Sequence, residues 1–166
     1  EMSGNKAEVS KKTKGGIMVK GIHDVAVRFS RCCSPVPGDE IVGYVTRGRG
    51  ISIHRTDCIN IINLPEMERA RLIDAEWQHD GQDGSNGLYR AEIKIFGNNR
   101  TGLLVDITRV FTEREIDIDA IHSKTSKQGV ATIDVSFSTK GREELGSVID
   151  KLRQIDSVID IVRTTG

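Results

Sequence analysis

Nine consecutive residues, His79 to Gly87 (HDGQDGSNG), contain no apolar side chain. Such a stretch cannot be threaded through a hydrophobic interior, because its backbone polar groups need water or a dedicated partner. It therefore divides the 166-residue chain into two parts, each with its own core and each the size of a small domain. Residues 1–16 (EMSGNKAEVSKKTKGG) are polar, lysine-rich and end in Gly-Gly, too poor in apolar surface to order themselves. The expected organisation is a flexible linker at 1–16, a first domain at 17–77, a linker at 78–87 and a second domain at 88–166. A leading linker further suggests a fragment of something longer upstream.

The first domain reads as a small mixed α/β unit. Val25, Val27 and Phe29 alternate with Ala26 and Arg28, as a strand requires. Cys32-Cys33-Ser34-Pro35-Val36-Pro37-Gly38-Asp39 follows, and its prolines and glycine impose a rigid loop. Ile41–Thr46 and Ile51–His54 are β-prone and flank Arg47-Gly48-Arg49-Gly50, which predicts a hairpin. Asp57 is placed to cap a short helix over Cys58–Asn63, stopped by Leu64-Pro65. Leu72–Trp77 can add a strand.

The second domain is more regular. Ala91, Ile93 and Ile95 alternate with charged residues as one strand. A Gly-Asn-rich turn at 97–102 precedes Leu103, Leu104, Ile107, Val110 and Phe111, which fall on one helix face. Ile116, Ile118 and Ala120 give a second strand. A turn at Lys127-Gln128-Gly129 leads into a third strand carrying Ala131, Ile133, Val135 and Phe137. Leu145, Val148, Ile149 and Leu152 mark a second helix, and Ile155–Val162 a fourth strand. The order β-α-β-β-α-β is the split βαβ, ferredoxin-like pattern, and the whole chain is α+β.

Lysine plus arginine balance aspartate plus glutamate, 24 against 24, so net charge argues for no polyanionic partner. A modest basic excess in the first half leaves room for a local patch. No apolar run is long enough to span a bilayer. Three cysteines, two adjacent, make no disulfide framework and read as reduced thiols of a cytoplasmic protein.

With these patterns in place, the second half resembles an ACT domain: a strand, then Gly97-Asn98-Asn99-Arg100-Thr101-Gly102-Leu103-Leu104, then Asp106 and Ile107 on a helix. The first half resembles the cysteine-containing segment ahead of the ACT domain in RelA/SpoT-type proteins. It shares Cys32-Cys33-x-Pro-x-Pro-Gly-Asp, Gly43-Tyr44-Val45-Thr46-Arg47-Gly48-Arg49-Gly50 and His54-Arg55-x-Asp57-Cys58. The resemblance covers about residues 20–166. It implies a regulatory, non-catalytic region of an enzyme that makes or hydrolyses (p)ppGpp in the stringent response. It also implies contact with a ribosome carrying tRNA at its A site, and a homodimer formed through the ACT domain. No phosphate-binding loop or His-Asp metal cluster of a catalytic domain is present in the sequence.

Three candidate sites follow. At the first, the turn into the second domain's first helix leaves backbone N–H groups free to hold a carboxylate. Asn98 and Asn99 can pair with both ends of an amino acid, with Arg100, Thr101 and Gly102 alongside. Leu103, Leu104, Ile118 and Ile121 can line an apolar pocket. The resemblance places the facing strand opposite the loop, which adds Ala120 and His122, and implies a branched-chain amino acid, valine or isoleucine. The alternative is a structural turn on a packed helix, serving a docking and dimerisation module.

Cys32, Cys33, His54 and Cys58 form the second candidate, a chemically complete donor set for a tetrahedral zinc ion. Adjacent cysteines are awkward co-ligands, since successive side chains on a strand point apart. Three buried thiols with a hydrogen-bonded histidine is the competing reading, and His23 an alternative ligand. The third candidate is Arg47, Arg49, His54 and Arg55, with Arg28, Arg31 and Lys20 nearby. A hairpin tip of this kind can meet RNA phosphates or stack on an unpaired base. The resemblance implies ribosomal RNA near the A site.

Overall fold

The computed structural model describes residues 16–20, 26–77 and 87–164. The two linkers, apart from Gly16 and Gly87, lie outside the described residues, as do His23, Val25 and His79.

The first domain is built on five strands: β1 (Ile17–Val19), β2 (Val27–Phe29), β3 (Ile41–Val45), β4 (Ile51–Arg55) and β5 (Leu72–Trp77), in the order β1-β5-β3-β4-β2. β2 runs parallel to β4, and the other pairings are antiparallel. The β3–β4 hairpin forms as its alternation requires. At its far side Gly50 has φ +78, and a Cβ there would lie 2.2 Å from the Ala26 carbonyl oxygen, so only glycine fits. One face of the sheet buries Ile17, Val19, Ile51, Ile53 and Ala75. The other packs Val42 and Leu72 against Cys33, Cys58 and Ile61. Ile61 sits on α1 (Ile59–Ile62), whose N-cap is Cys58. Asp57 does not cap it, because both its carboxylate oxygens are engaged by the Arg55 guanidinium.

The second domain adds β6 (Tyr89–Asn98), α2 (Leu103–Glu113), β7 (Ile118–Thr125), β8 (Val130–Thr139), α3 (Arg142–Arg153) and β9 (Val158–Arg163). The sheet order is β7-β8-β6-β9, antiparallel throughout. Leu103, Ile107, Val110 and Phe111 of α2 and Leu145, Val148 and Leu152 of α3 close over Ala91, Ile93, Ile95, Ala131, Ile133, Val135 and Phe137. Phe111 and Phe137 meet edge to face, centroids 4.9 Å apart. Two strands differ from expectation. β7 begins at Ile118 and continues to Thr125, with a register shift between Ile118 and Ala120. That bulge puts Ile121 and Ser123, rather than Ala120, opposite the inward residues Val135 and Ile133. β9 begins at Val158, later than the apolar run suggested.

The two domains share an interior. Val36, from the proline-bracketed loop of the first domain, is fully buried in the core of the second. The Pro37 carbonyl accepts the Arg142 N–H at 2.8 Å, satisfying a helix-start donor that no side chain caps. Gly38 and Gly141 permit this approach: a Cβ on either would sit 2.9 or 3.0 Å from Arg142 Cβ or the Pro37 oxygen. Phe29, Trp77 and Tyr89 form an aromatic triangle across the junction, centroids 5.6–5.7 Å apart. Asp39 receives both Nη atoms of Arg163, at 2.7 and 2.9 Å, and accepts the Val36 N–H at 2.9 Å.

The side chains of Asp39 and Arg163 are only 5% and 15% exposed, so losing one leaves the other charge buried and unpaired. Asp39→Ala is expected to lower the unfolding free energy by about 3–5 kcal/mol, read from urea denaturation. A loss below about 1 kcal/mol, the range of an exposed pair, contradicts the buried junction.

Candidate metal centre and ligand pocket

Three elements of the first domain bring the thiols together. Cys32 and Cys33 stand in a turn at residues 31–33 rather than on a strand, which removes the objection that adjacent side chains diverge. His54 lies on β4 opposite Val42, so its ring shares the sheet face of the cysteines. Cys58 starts α1 on that same side. Cys32 Sγ lies 3.4 Å from His54 Nδ1, 3.5 Å from Cys58 Sγ and 4.0 Å from Cys33 Sγ. Cys33 Sγ lies 3.8 Å from His54 Nδ1, and all four donor atoms fall within 4.8 Å of one another. A tetrahedral ion with metal–sulfur bonds of about 2.3 Å and metal–nitrogen bonds of about 2.0–2.1 Å has edges of roughly 3.4–3.8 Å. The separations of 3.4–4.0 Å lie near those edges, so the cluster can hold a metal ion.

The surroundings orient the donors. Ser52 Oγ is 3.0 Å from His54 Nε2, which leaves Nδ1 facing the thiols. The Arg55 backbone N–H donates to Cys33 Sγ at 3.3 Å, and Ser30 Oγ shares a 2.8 Å hydrogen bond with Cys32 Sγ. Burial raises the pKa of the Cys33 thiol, and burial likewise raises that of Cys58. Cys32 is also penalised by burial, yet hydrogen bonds led by that from Ser30 outweigh it and lower its pKa. Burial, aided by the Arg28 charge, lowers the His54 pKa and favours the neutral imidazole that a metal needs. The supporting serines gave no signal in the sequence, since their role depends on which sheet face His54 occupies.

The second domain carries a pocket of about 140 Å³ lined by Asn99, Arg100, Gly102, Leu103, Leu104, Val105, Ser123, Ala131 and Ile133. Five residues of the candidate loop and helix start thus line one cavity, and Ser123 is an addition supplied by the β7 bulge. Gly102, at φ +83, is the N-cap of α2 and offers no side-chain cap. Arg100 is tied down, its guanidinium reaching Ser157 Oγ and the Asp106 carboxylate. Asn98 and Thr101 do not line the cavity, nor do Ile118, Ala120, Ile121 and His122 on β7.

The four residues of the proposed RNA tip separate. Arg47 and Arg49 are exposed at the hairpin end, with Arg47 80% accessible and 3.8 Å from Glu68. Arg55 is buried: it holds Asp57 and donates to the carbonyls of Cys33 and Thr164, each at 3.3 Å. His54 belongs to the thiol cluster. His54 is thus one of the four clustered donors and Arg55 packs beside them, so of the four only Arg47 and Arg49 remain on the surface. Arg28 and Arg31 are also exposed.

A five-stranded sheet with a thiol cluster against one face, followed by a β-α-β-β-α-β sandwich, defines a two-domain α+β chain. Residues 17–78 match the RelA/SpoT RIS domain family and residues 85–163 the ACT domain family. The chain belongs to the RelA/SpoT family, as a RIS domain followed by an ACT domain. It is 38% identical over 156 residues to a GTP pyrophosphokinase of Escherichia coli K12, covering 93% of this chain and 20% of that protein. It is 37% identical over 150 residues to a GTP pyrophosphokinase of Streptomyces coelicolor, covering 90% and 17%. The chain thus spans about one fifth of the length of the curated relatives it matches. The ACT domain of a GTP pyrophosphokinase from Chlorobium tepidum superposes with a TM-score of 0.42 at 27% identity, covering 46% of this chain and 99% of that one. Among the described residues no helix is long and apolar enough to cross a membrane.

Proposed function

We propose that this module sets the balance between synthesis and hydrolysis of (p)ppGpp in a cytoplasmic enzyme of the stringent response, without catalysing either itself. It binds valine or isoleucine at the ACT domain and ribosomal RNA through the hairpin of the first domain, with zinc as a structural ion at the thiol cluster. The observation that supports the ligand reading is the composition of the pocket. Its rim carries Asn99, Ser123 and the uncapped start of α2, suited to a carboxylate and an ammonium group. Its wall carries Leu103, Ala131 and Ile133, suited to a small branched side chain. An amino acid that prefers one conformation or association state shifts the parent enzyme by the difference in its affinities.

Calorimetric titration tests this. Valine and isoleucine are expected to give saturable heat, and lysine none. Asn99→Ala should weaken binding at least about tenfold, the loss of one hydrogen bond to a charged group. Absence of heat at millimolar concentrations would favour a docking and dimerisation module instead. The edge strand β7, exposed along nearly its whole length, supplies that module's surface, and pairing of two such edges would make a homodimer.

The RNA reading rests on the accessibility of Arg47 and Arg49. Binding of the chain to purified ribosomes should weaken with salt, and each of Arg47→Ala and Arg49→Ala should flatten the log–log slope by roughly 0.7–0.9. An unchanged slope in the double variant contradicts phosphate contact by the tip.

A further inference from the structure

Residues 32–39 belong to two sites at once. At one end Cys32 and Cys33 supply two of the four potential metal donors. At the other, Val36 fills the ACT core, the Pro37 carbonyl caps the start of α3, and Asp39 binds Arg163. Between them stands Ser34, a non-glycine residue at φ +45. Such a conformation persists where the surroundings fix it on both sides. Its N–H donates to the Ser30 carbonyl at 3.0 Å, and its own carbonyl accepts from Arg163 at 3.2 Å. Its hydroxyl is 3.4 Å from Arg90. Pro35 and Pro37 remove further freedom. A second route runs through Arg55, whose backbone N–H meets the Cys33 sulfur while its guanidinium joins the Cys33 carbonyl to the Thr164 carbonyl at the end of the ACT domain.

We propose that metal loading of the thiol cluster and docking of the ACT domain are thermodynamically linked through residues 33–39 and Arg55, so that an ion held by the first domain tightens its grip on the second. The inference rests on the metal reading above. With an ion bound, Cys33 is fixed, and the short, proline-restricted segment presents Val36 and Asp39 in the docked position. Without it, the turn at 31–33 keeps only its hydrogen bonds to Arg55 and Ser30, and the loosening reaches Ser34 because so few torsions lie between. Linkage is reciprocal: whatever loosens the docked loop must weaken the ion by the same factor. Folding and metal affinity are coupled in the same way wherever a site is assembled by tertiary structure.

The test uses the full 166-residue chain and zinc as the probe. Elemental analysis first gives the metal content. Zinc affinity is then measured by competition with a chromophoric chelator for the unaltered chain, Val36→Ala and Arg163→Gln. Amide hydrogen exchange is followed at Arg142 and Leu145, whose N–H groups lie at the docked helix start, with and without zinc. Affinity is expected to fall at least about fivefold in both variants, the lower end of ordinary coupling between sites. Removal of zinc should lower protection at Arg142 by a similar factor, while Ile95 and Phe137, at the sheet centre, change less. Stoichiometric zinc binding with equal affinity in all three proteins, and unchanged protection at Arg142, overturns the linkage while leaving the metal centre intact. Failure to bind zinc at all removes the metal reading and the linkage with it.

Discussion

The buried pair of Asp39 and Arg163, with Val36 beside it, turns two small domains into one body. The first half has only small interiors: its sheet is short-stranded, and without the second domain the loop leaving it would be left with an unpaired carboxylate and an apolar side chain lacking a partner. Docking places Val36 among Ile and Leu side chains, satisfies a helix-start N–H of α3 with the Pro37 carbonyl, and closes three aromatic rings over the junction. Each contact alone is modest, and together they fix the orientation of the RIS domain on the ACT domain. The glycines at 38 and 141 fit this reading, since each permits an approach that a Cβ would obstruct.

The ACT half was legible because its information is local. Alternation in β6 and β8, and apolar spacing in α2 and α3, specify faces that the sheet then satisfies. The bulge in β7 was not legible, since nothing in Ile118–Ala120 marks an extra residue. It moved Ser123 into the pocket and left Ala120 and His122 outside. The four residues of the thiol cluster were legible as residue types, but their compatibility was not: a turn at 31–33 resolves the problem of adjacent cysteines, and that turn depends on contacts with Arg55 and Ser30. Arg55 was misplaced for a related reason. A charged residue in a basic stretch reads as surface, and only long-range contacts such as that with Thr164 reveal it as an interior strut. The domain junction left no mark in the sequence at all, because Asp39 and Arg163 are far apart along the chain.

The cavity at the start of α2 and the junction sit at opposite ends of the ACT sheet. Asn99, Ser123 and Ala131 gather where β6 ends and β8 begins, whereas Arg90, Arg142 and Arg163 lie where β6 begins and β8 and β9 end. α2, α3 and the strands between them are the physical connection. The pocket at one end and the loop carrying Cys32 and Cys33 at the other abut the same packed layer. This arrangement couples the two ends of the ACT sheet only if the two domains move as one.

Residual dipolar couplings of the full chain in a weakly aligning medium measure that directly. A single alignment tensor should fit the amides of both sheets, with the RIS strands oriented on the ACT strands as the Asp39–Arg163 junction requires. Two tensors of different magnitude, one for each sheet, would mean independent domains and would contradict the shared interior.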